Sequence, residues 1–419
     1  MTTAASLRQV GGFIGRRARR WWWVLAGLAL LAAACGGAAS NGGGSDSTDT
    51  ASDGGDLHTF DIEGAPFVVG WNTDWTKRTI ELSELIKGRP ESDPRDIIAP
   101  LDNPKFETVE EAAQWLEARE PVGLVEFGGE ARIYPLRILT FHEIVNDQFG
   151  DVPIAVTFCP LCNSAVAFER TVNGQVLRFG TSGLLRNSDL VMWDRQTESL
   201  WQQITGEGIV GELAGTQLEF VPIRLISWED AQEGFPDSKV LSRDTGFPAP
   251  YGSNPYVAYD SSDQPFLFDG EIDDRYPAFE RVVGLRLGDT NKAYPFSLIS
   301  EVRAVNDVVA GEPILVVWGA GDTASALDAP DIAEGRSVGT GLAYLRTLDG
   351  RVLTFEAQGD DTFVDSETGT TWDLLGKAIS GPLAGEQLTA ALHTNELWFA
   401  WAAFNPDAQV YAEGDRQAT

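Results

Sequence analysis

Two stretches of this chain repeat one another. "VGLVEFGGEARIYPLRILTFHEIVNDQFGDVPIAV" begins at residue 122 and "VGLRLGDTNKAYPFSLISEVRAVNDVVAGEPILV" at residue 283. Tyr134 and Tyr294, Asn146 and Asn306, Asp147 and Asp307, and Pro153 and Pro313 all stand 160 positions apart. The match resumes in "FERTVNGQVLRF" against "YLRTLDGRVLTF", in "DRQTESLW" against "DSETGTTW", and in "GEGIVGELAGTQL" against "GKAISGPLAGEQL". Trp228 with Trp398 and Pro236 with Pro406 close the two stretches. So many matches in order predict a tandem duplication, with residues 121–247 and 281–412 folding alike.

Each copy reads as strands with short helices. "GLVEF" and "ARIYPL" flank the turn "GGE" as a hairpin. A short helix is expected over 140–147, with Thr140 as its N-cap and Glu143 completing a capping box. "VPIAVTF" and "SAVAFER" then read as strands, "NG" at Asn173 and Gly174 as a tight hairpin turn, and "SDLVMWD" with "SLWQQI" as a further pair. The expectation is a β-rich α+β protein of two tandem similar domains, each a small barrel or curled sheet. Ahead of them, 58–120 forms an N-terminal segment with a helix capped by Thr108 and Glu111. Between them, 248–280 is rich in Pro, Tyr and Gly and reads as a packed linker.

The start of the chain addresses it out of the cytoplasm. Arg16, Arg17, Arg19 and Arg20 precede the apolar run "WWWVLAGLALLAAA" and then Cys35. Fourteen apolar residues are too few to span a bilayer and suit the core of a signal peptide. Ala32, Ala33 and Ala34 before Cys35 resemble a bacterial lipobox, which implies a signal peptide over 1–34 and acylation of Cys35. The predicted location is the extracytoplasmic face of the cell membrane, with the acyl chains as the membrane contact. Residues 35–57 carry almost no apolar side chains, so they cannot repay the entropy of ordering and read as a tether. Removing the signal peptide strips five arginines and no acids, which leaves 26 basic residues against 62 acidic. That balance excludes nucleic acid as a partner and disfavours docking on anionic lipid.

The strings "YPLRILTFHEIVND", "TFCPLCNSAVAFER" and "RFGTSGLLRNSDLVMWDRQTESLWQQ", with the repeated "LAG" element, resemble the bacterial and archaeal domain-of-unknown-function 3179 family. The resemblance covers most of the chain beyond residue 95. It implies an extracytoplasmic protein and carries no activity, so the chemistry must come from the residues.

The two copies differ where chemistry is available. Tyr134, Asn146, Asp147 and the "LAG" turn occur in both and read as architecture. Cys159 and Cys162 align with Gly319 and Asp322, His142 with Val302, and Glu143 with Arg303. The first copy also has five more residues between Phe179 and Asp194 than the second has between Phe355 and Asp365. That extra stretch gathers Ser182, Arg186, Asn187, Ser188 and Asp189. A CxxC turn between strands can aim two sulfurs at one point, and thiolates bind zinc or cuprous copper. A closed zinc site needs four protein ligands, so a three-ligand site of Cys159, Cys162 and His142 is the metal reading. Met192 is a further soft donor or else core. Ser182, Arg186, Asn187 and Asp189 are the expected wall for a polar or anionic ligand. Thiol redox chemistry is the second reading, although the flanking strands do not supply the helix that lowers a thiol pKa in redox motifs. A local disulfide is the third, as a staple in a non-enzymatic binding or scaffold lipoprotein. A cysteine hydrolase of Cys159, His142 and Asn146 or Asp147 satisfies only permissive spacings.

Overall fold

The computed structural model describes residues 70–412 apart from 360, together with Gly414 and Asp415. The expected signal peptide, Cys35, the tether and residues 58–69 lie outside the described residues. Among the described residues, no helix is long and apolar enough to cross a membrane. Strands far outweigh helices, as the α+β, β-rich reading requires.

In each half the strands divide among three sheets and a two-stranded ribbon instead of joining into one curled sheet or barrel. The first sheet is built on a hairpin, Pro121–Phe127 with Glu130–Pro135. Its turn is Gly128 and Gly129, both at positive φ, which matches the twist that two-residue hairpins require. Ile223–Ser227 flanks one side, and Lys239–Leu241 joins the other side in parallel. In the second half Arg281–Leu287 and Thr290–Pro295 form the hairpin, His393–Leu397 flanks it, and Gln409–Val410 joins in parallel.

The second sheet sets Ile144–Phe149, Val152–Cys159 and Ser164–Glu169 side by side, as Ala304–Val309, Glu312–Gly319 and Thr340–Leu345 stand in the other half. The third is a meander that begins with the hairpin of Phe179–Arg186 and Asp189–Asp194, matched by Phe355–Ala357 and Thr362–Asp365. Phe179 faces Asp194 and Phe355 faces Asp365, so the five extra residues lengthen this hairpin without shifting its base. The N-terminal segment adds one strand to each of these three sheets in the first half: Phe106–Thr108, Leu101–Asp102 and Ile86–Lys87. It thereby covers edges that would otherwise offer unpaired backbone groups.

The polar pairs shared by the two sequences are structural. Tyr134 donates to Asp147 Oδ2 at 2.5 Å, and Tyr294 to Asp307 Oδ2 at 2.7 Å. Asn146 accepts from the Phe179 N–H at 2.9 Å and donates to the Phe179 carbonyl at 2.8 Å, which straps the second sheet to the third. Asn306 does the same to Phe355 at 2.8 Å in both directions. A buried backbone group left without such a partner costs about 1–3 kcal/mol. The asparagine therefore fixes where the long hairpin starts.

One expectation needs correction. The helix does not span 140–147; it is Leu136–His142, followed by the strand Ile144–Phe149. Pro135 is the residue at its N-cap position, and no side chain caps this end. Thr140 lies inside the helix and donates to the Leu136 carbonyl at 2.7 Å. Glu143 is the C-cap, at a left-handed φ of 57°, and its side chain is buried. The Thr–x–x–Glu spacing imitates a capping box, but here Thr140 bonds within the helix and Glu143 ends it. The pair Thr108 and Glu111 does form the expected capping box, at the head of the short helix Val109–Ala112.

Candidate functional site

Strand Val152–Cys159 ends at the first cysteine, and the chain turns through a single 3-10 turn, Pro160–Cys162. Pro160 suits that position because its fixed φ is already helical and its missing N–H would have had no partner. Asn163 closes the turn at a left-handed φ of 53°, which asparagine tolerates. Ser164 then pairs back against Cys159, so both sulfurs stand at the mouth of one tight turn. They are buried free thiols among Phe168, Phe179, Trp201 and Leu397. Met192 lies in the same apolar cluster, consistent with its reading as core.

The long hairpin reaches over this turn. Asn187 and Ser188 form its two-residue loop with φ of 50° and 64°. Such a loop requires two left-handed residues, and serine adopts that conformation reluctantly. The result is that the Ser188 carbonyl accepts from both thiols, at 3.9 Å from Cys159 and 3.7 Å from Cys162. Asp189, the next residue, is fully buried. One of its carboxylate oxygens lies with both sulfurs in a group whose ligand atoms are all within 4.8 Å of one another. Oδ2 accepts from Gln202 Nε2 at 2.6 Å and from the Ile204 N–H at 3.0 Å. Oδ1 is reached by no N–H or O–H donor.

Three of the expected residues come together, then: Cys159, Cys162 and Asp189. The others are used elsewhere. His142 is buried, but Nδ1 binds the Ala99 carbonyl at 2.7 Å and Nε2 the Tyr251 hydroxyl at 2.6 Å, so neither nitrogen is free for a metal and the ring does not join the cluster. Ser182 fills the bulge between Thr181 and Leu184, donating to the Val191 carbonyl and accepting from the Leu184 N–H. Arg186 forms an ion pair with Glu84 at 2.7 Å and lies over the Phe404 ring. Asn187 serves the turn, and its side lines an open groove with Phe268 and Asp273.

The electrostatics of the cluster are one-sided. Burial pushes the Asp189 carboxyl up to about 7, with hydrogen bonds from Gln202, Ile204 and the Cys159 thiol opposing the rise and nearby Glu396 adding to it. Burial also raises Cys159, and raises Cys162 well above the usual thiol range, with Asp189 contributing to both. Glu143, which sequence reasoning placed in a helix cap, is pushed up to about 8 by burial; Arg89 lowers it and Asp189 raises it.

Beside the cluster lies a cavity of about 560 Å³. Leu161, from between the two cysteines, and Leu190, next to Asp189, form its inner wall with Glu143. Tyr256 and Tyr259 reach it from the linker, and Arg89, Ile97 and Ile98 from the N-terminal segment. These walls come from segments outside the repeat, so comparison of the two halves does not reveal them. Glu143 was visible in that comparison, because the other half has Arg303 there.

The corresponding place in the second half is filled. Gly319 stands where Cys159 does at the strand end, and a Cβ there would meet Leu374 at 2.6 Å and Asp361 Oδ1 at 3.0 Å. Asp361 accepts from the Ala320 N–H at 2.8 Å and pairs with Arg303 at 3.6 Å. Asp322 turns outward to Arg119 at 2.7 Å.

A model of the family described as "Protein of unknown function (DUF3179)" matches residues 95–408, and the chain belongs to that family. No curated protein and no solved structure matches it.

Glu143 sets a pH dependence with a definite sign. In metal-free protein the unfolded chain gives up this proton near 4.5 and the folded chain only near 8. Between those values the folded state holds the extra proton, so stability falls as pH rises, by at most about 1.4 kcal/mol per unit from this group. Glu143→Gln should flatten the decline, and its melting temperature should gain on the parent's steadily from pH 5 to pH 8. Identical pH dependence in the two proteins would contradict this account of Glu143.

Proposed function

We propose that this member of a family without an assigned activity is a lipid-anchored extracytoplasmic protein that holds a thiolate-ligated transition metal, zinc or copper, on Cys159, Cys162 and Asp189. The observation that carries the metal reading is the Asp189 carboxylate, fully buried, with one oxygen gathered beside two sulfurs and with Oδ1 reached by no N–H or O–H donor. Leaving such an acceptor bare is costly. A cation on the cluster removes the cost, because binding displaces the thiol protons and gives the oxygen a partner. The spacing is compatible. In a tetrahedral shell, atoms bound to one zinc at about 2.0–2.3 Å stand about 3.5–3.8 Å apart, so groups that lie within 4.8 Å of one another must draw together by up to about 1 Å.

Two sulfurs and one carboxylate leave a tetrahedral ion one open position, as catalytic zinc sites have. Thiol redox work is less well supported. The nucleophile in that chemistry is the thiolate, and here burial holds both thiols protonated while Arg186, whose charge beside them would lower a thiol pKa, is paired with Glu84. The two halves are read as tandem copies on their shared strand orders and shared Asn and Tyr–Asp pairs. On that reading the Arg303–Asp361 pair occupies the second copy's equivalent of the metal site, and only the first copy binds an ion. The lipid anchor rests on the basic, apolar and small-residue run before Cys35, and the acyl chains would supply the membrane attachment.

Protein purified without chelator should carry close to one equivalent of metal. Asp189→Asn and Cys162→Ser should each lower retained metal at least tenfold while keeping the parent's far-ultraviolet circular dichroism. Full metal retention in Asp189→Asn, or no uptake of zinc(II) or copper(I) by the parent, would overturn the reading. Cys35→Ser should move the protein from the membrane fraction to the soluble one or leave its precursor uncleaved; normal cleavage with unchanged fractionation would end the lipoprotein claim.

A further inference from the structure

The cavity beside the cysteines has a chemistry of its own. Its inner part is aliphatic, with Leu161, Leu184 and Leu190 all buried. Its rim is apolar as well, although it faces water. Ile97 is 39 % exposed, Val257 50 % and Phe266 54 %, and these are three of only eight large hydrophobic side chains so exposed among the described residues. Scattered exposed hydrophobics need no explanation, but a cluster around one opening marks a place where apolar surface is covered by something else. The volume is within the range of small-molecule sites, which bury a mostly apolar ligand and orient it with a few polar groups.

The polar groups lie at the inner end. Glu143 is buried in the wall, and Tyr256 stands close enough to hydrogen-bond its carboxyl. Asp189 and the two thiols stand behind Leu161 and Leu190. An anionic head would meet this acidic set with a single cation on the cavity wall, Arg89, which is exposed and already acts on Glu143. An ammonium head would have to shed its water into a wall that is largely aliphatic. A neutral oxygen suffers neither penalty, because it can accept from a carboxyl or phenol, and a hydroxyl can donate as well.

We propose that this cavity binds a neutral, largely apolar small molecule with one oxygen-bearing end, an alcohol, phenol or ketone, inserted head first toward Glu143 and Tyr256. The inference goes beyond the metal reading and rests on it only in that the open coordination position would lie on the ligand's inner side. The linker and the N-terminal segment build most of the outer wall, so the site exists in the first half alone.

The test is displacement of a polarity-sensitive fluorescent dye from the full-length protein by probes of one chain length: 1-decanol, decanoate and decylamine. Decanol should displace the dye at least tenfold more strongly than either charged probe. Leu185→Trp, which fills the cavity from its strand, should weaken decanol at least tenfold, and Val257→Glu on the exposed rim should weaken it with no change in melting temperature. Preference for a charged probe, or decanol binding that survives both variants, would overturn the proposal. Metal content is measured on the same samples. Unchanged metal with lost decanol binding supports the cavity alone, whereas decanol binding intact in Cys162→Ser shows that failure of the metal reading leaves the cavity standing.

Discussion

The structure turns on a carboxylate and two thiols buried within reach of one another. Nothing in the apolar surroundings favours bringing Asp189, Cys159 and Cys162 together: burial raises the proton affinity of all three, and Asp189 adds to the rise of both thiols. The arrangement is imposed by geometry on either side. The CPLC turn holds the sulfurs at a strand end, and the Asn187–Ser188 loop carries Asp189 down onto them in a left-handed conformation that serine does not prefer. Backbone strain of that kind, together with an unpartnered buried oxygen, is what a fold tolerates when something bound at the site returns the cost.

The rest of the first half can be read as support for that hairpin. Asn146 fixes its base by binding both backbone groups of Phe179. The bulge at Ser182 bends it, and Gly183 permits the bend, since at its φ of 72° a Cβ would strike Pro94 at 2.4 Å. The strand Ile86–Lys87 pairs along its outer edge. Its counterpart in the second half keeps the asparagine clamp and the same facing pair at its base, yet stops short. There an ordinary Arg303–Asp361 ion pair occupies the space. The same scaffold thus accommodates a strained acidic cluster in one place and a self-neutralised pair in the other.

Much of this was legible in the sequence because the signals are local. Gly128–Gly129 and Asn173–Gly174 announce hairpins by the φ values they allow, and both occur where expected. Comparing the two similar stretches isolated Cys159, Cys162 and Asp189, because the second has Gly319 and Asp322 opposite the cysteines and lacks the residues that lengthen the hairpin. What misled was also local. Thr140 and Glu143 have the spacing of a capping box, while Pro135, the residue where the helix begins, carries no side-chain cap to advertise it. His142 and Arg186 have suitable chemistry, but Ala99, Tyr251 and Glu84 take them, and those partners come from distant segments whose approach no spacing rule encodes. The cavity escaped for the same reason, being walled by the linker and the N-terminal segment.

The central claim is that the three buried groups share one ion, and the coordination shell of that ion tests it most directly. An X-ray absorption spectrum at the metal edge of protein purified without chelator should show two sulfur neighbours at about 2.3 Å and oxygen or nitrogen neighbours at about 2.0–2.2 Å. A shell without sulfur, or one built on histidine nitrogens, would place the ion elsewhere and contradict the account.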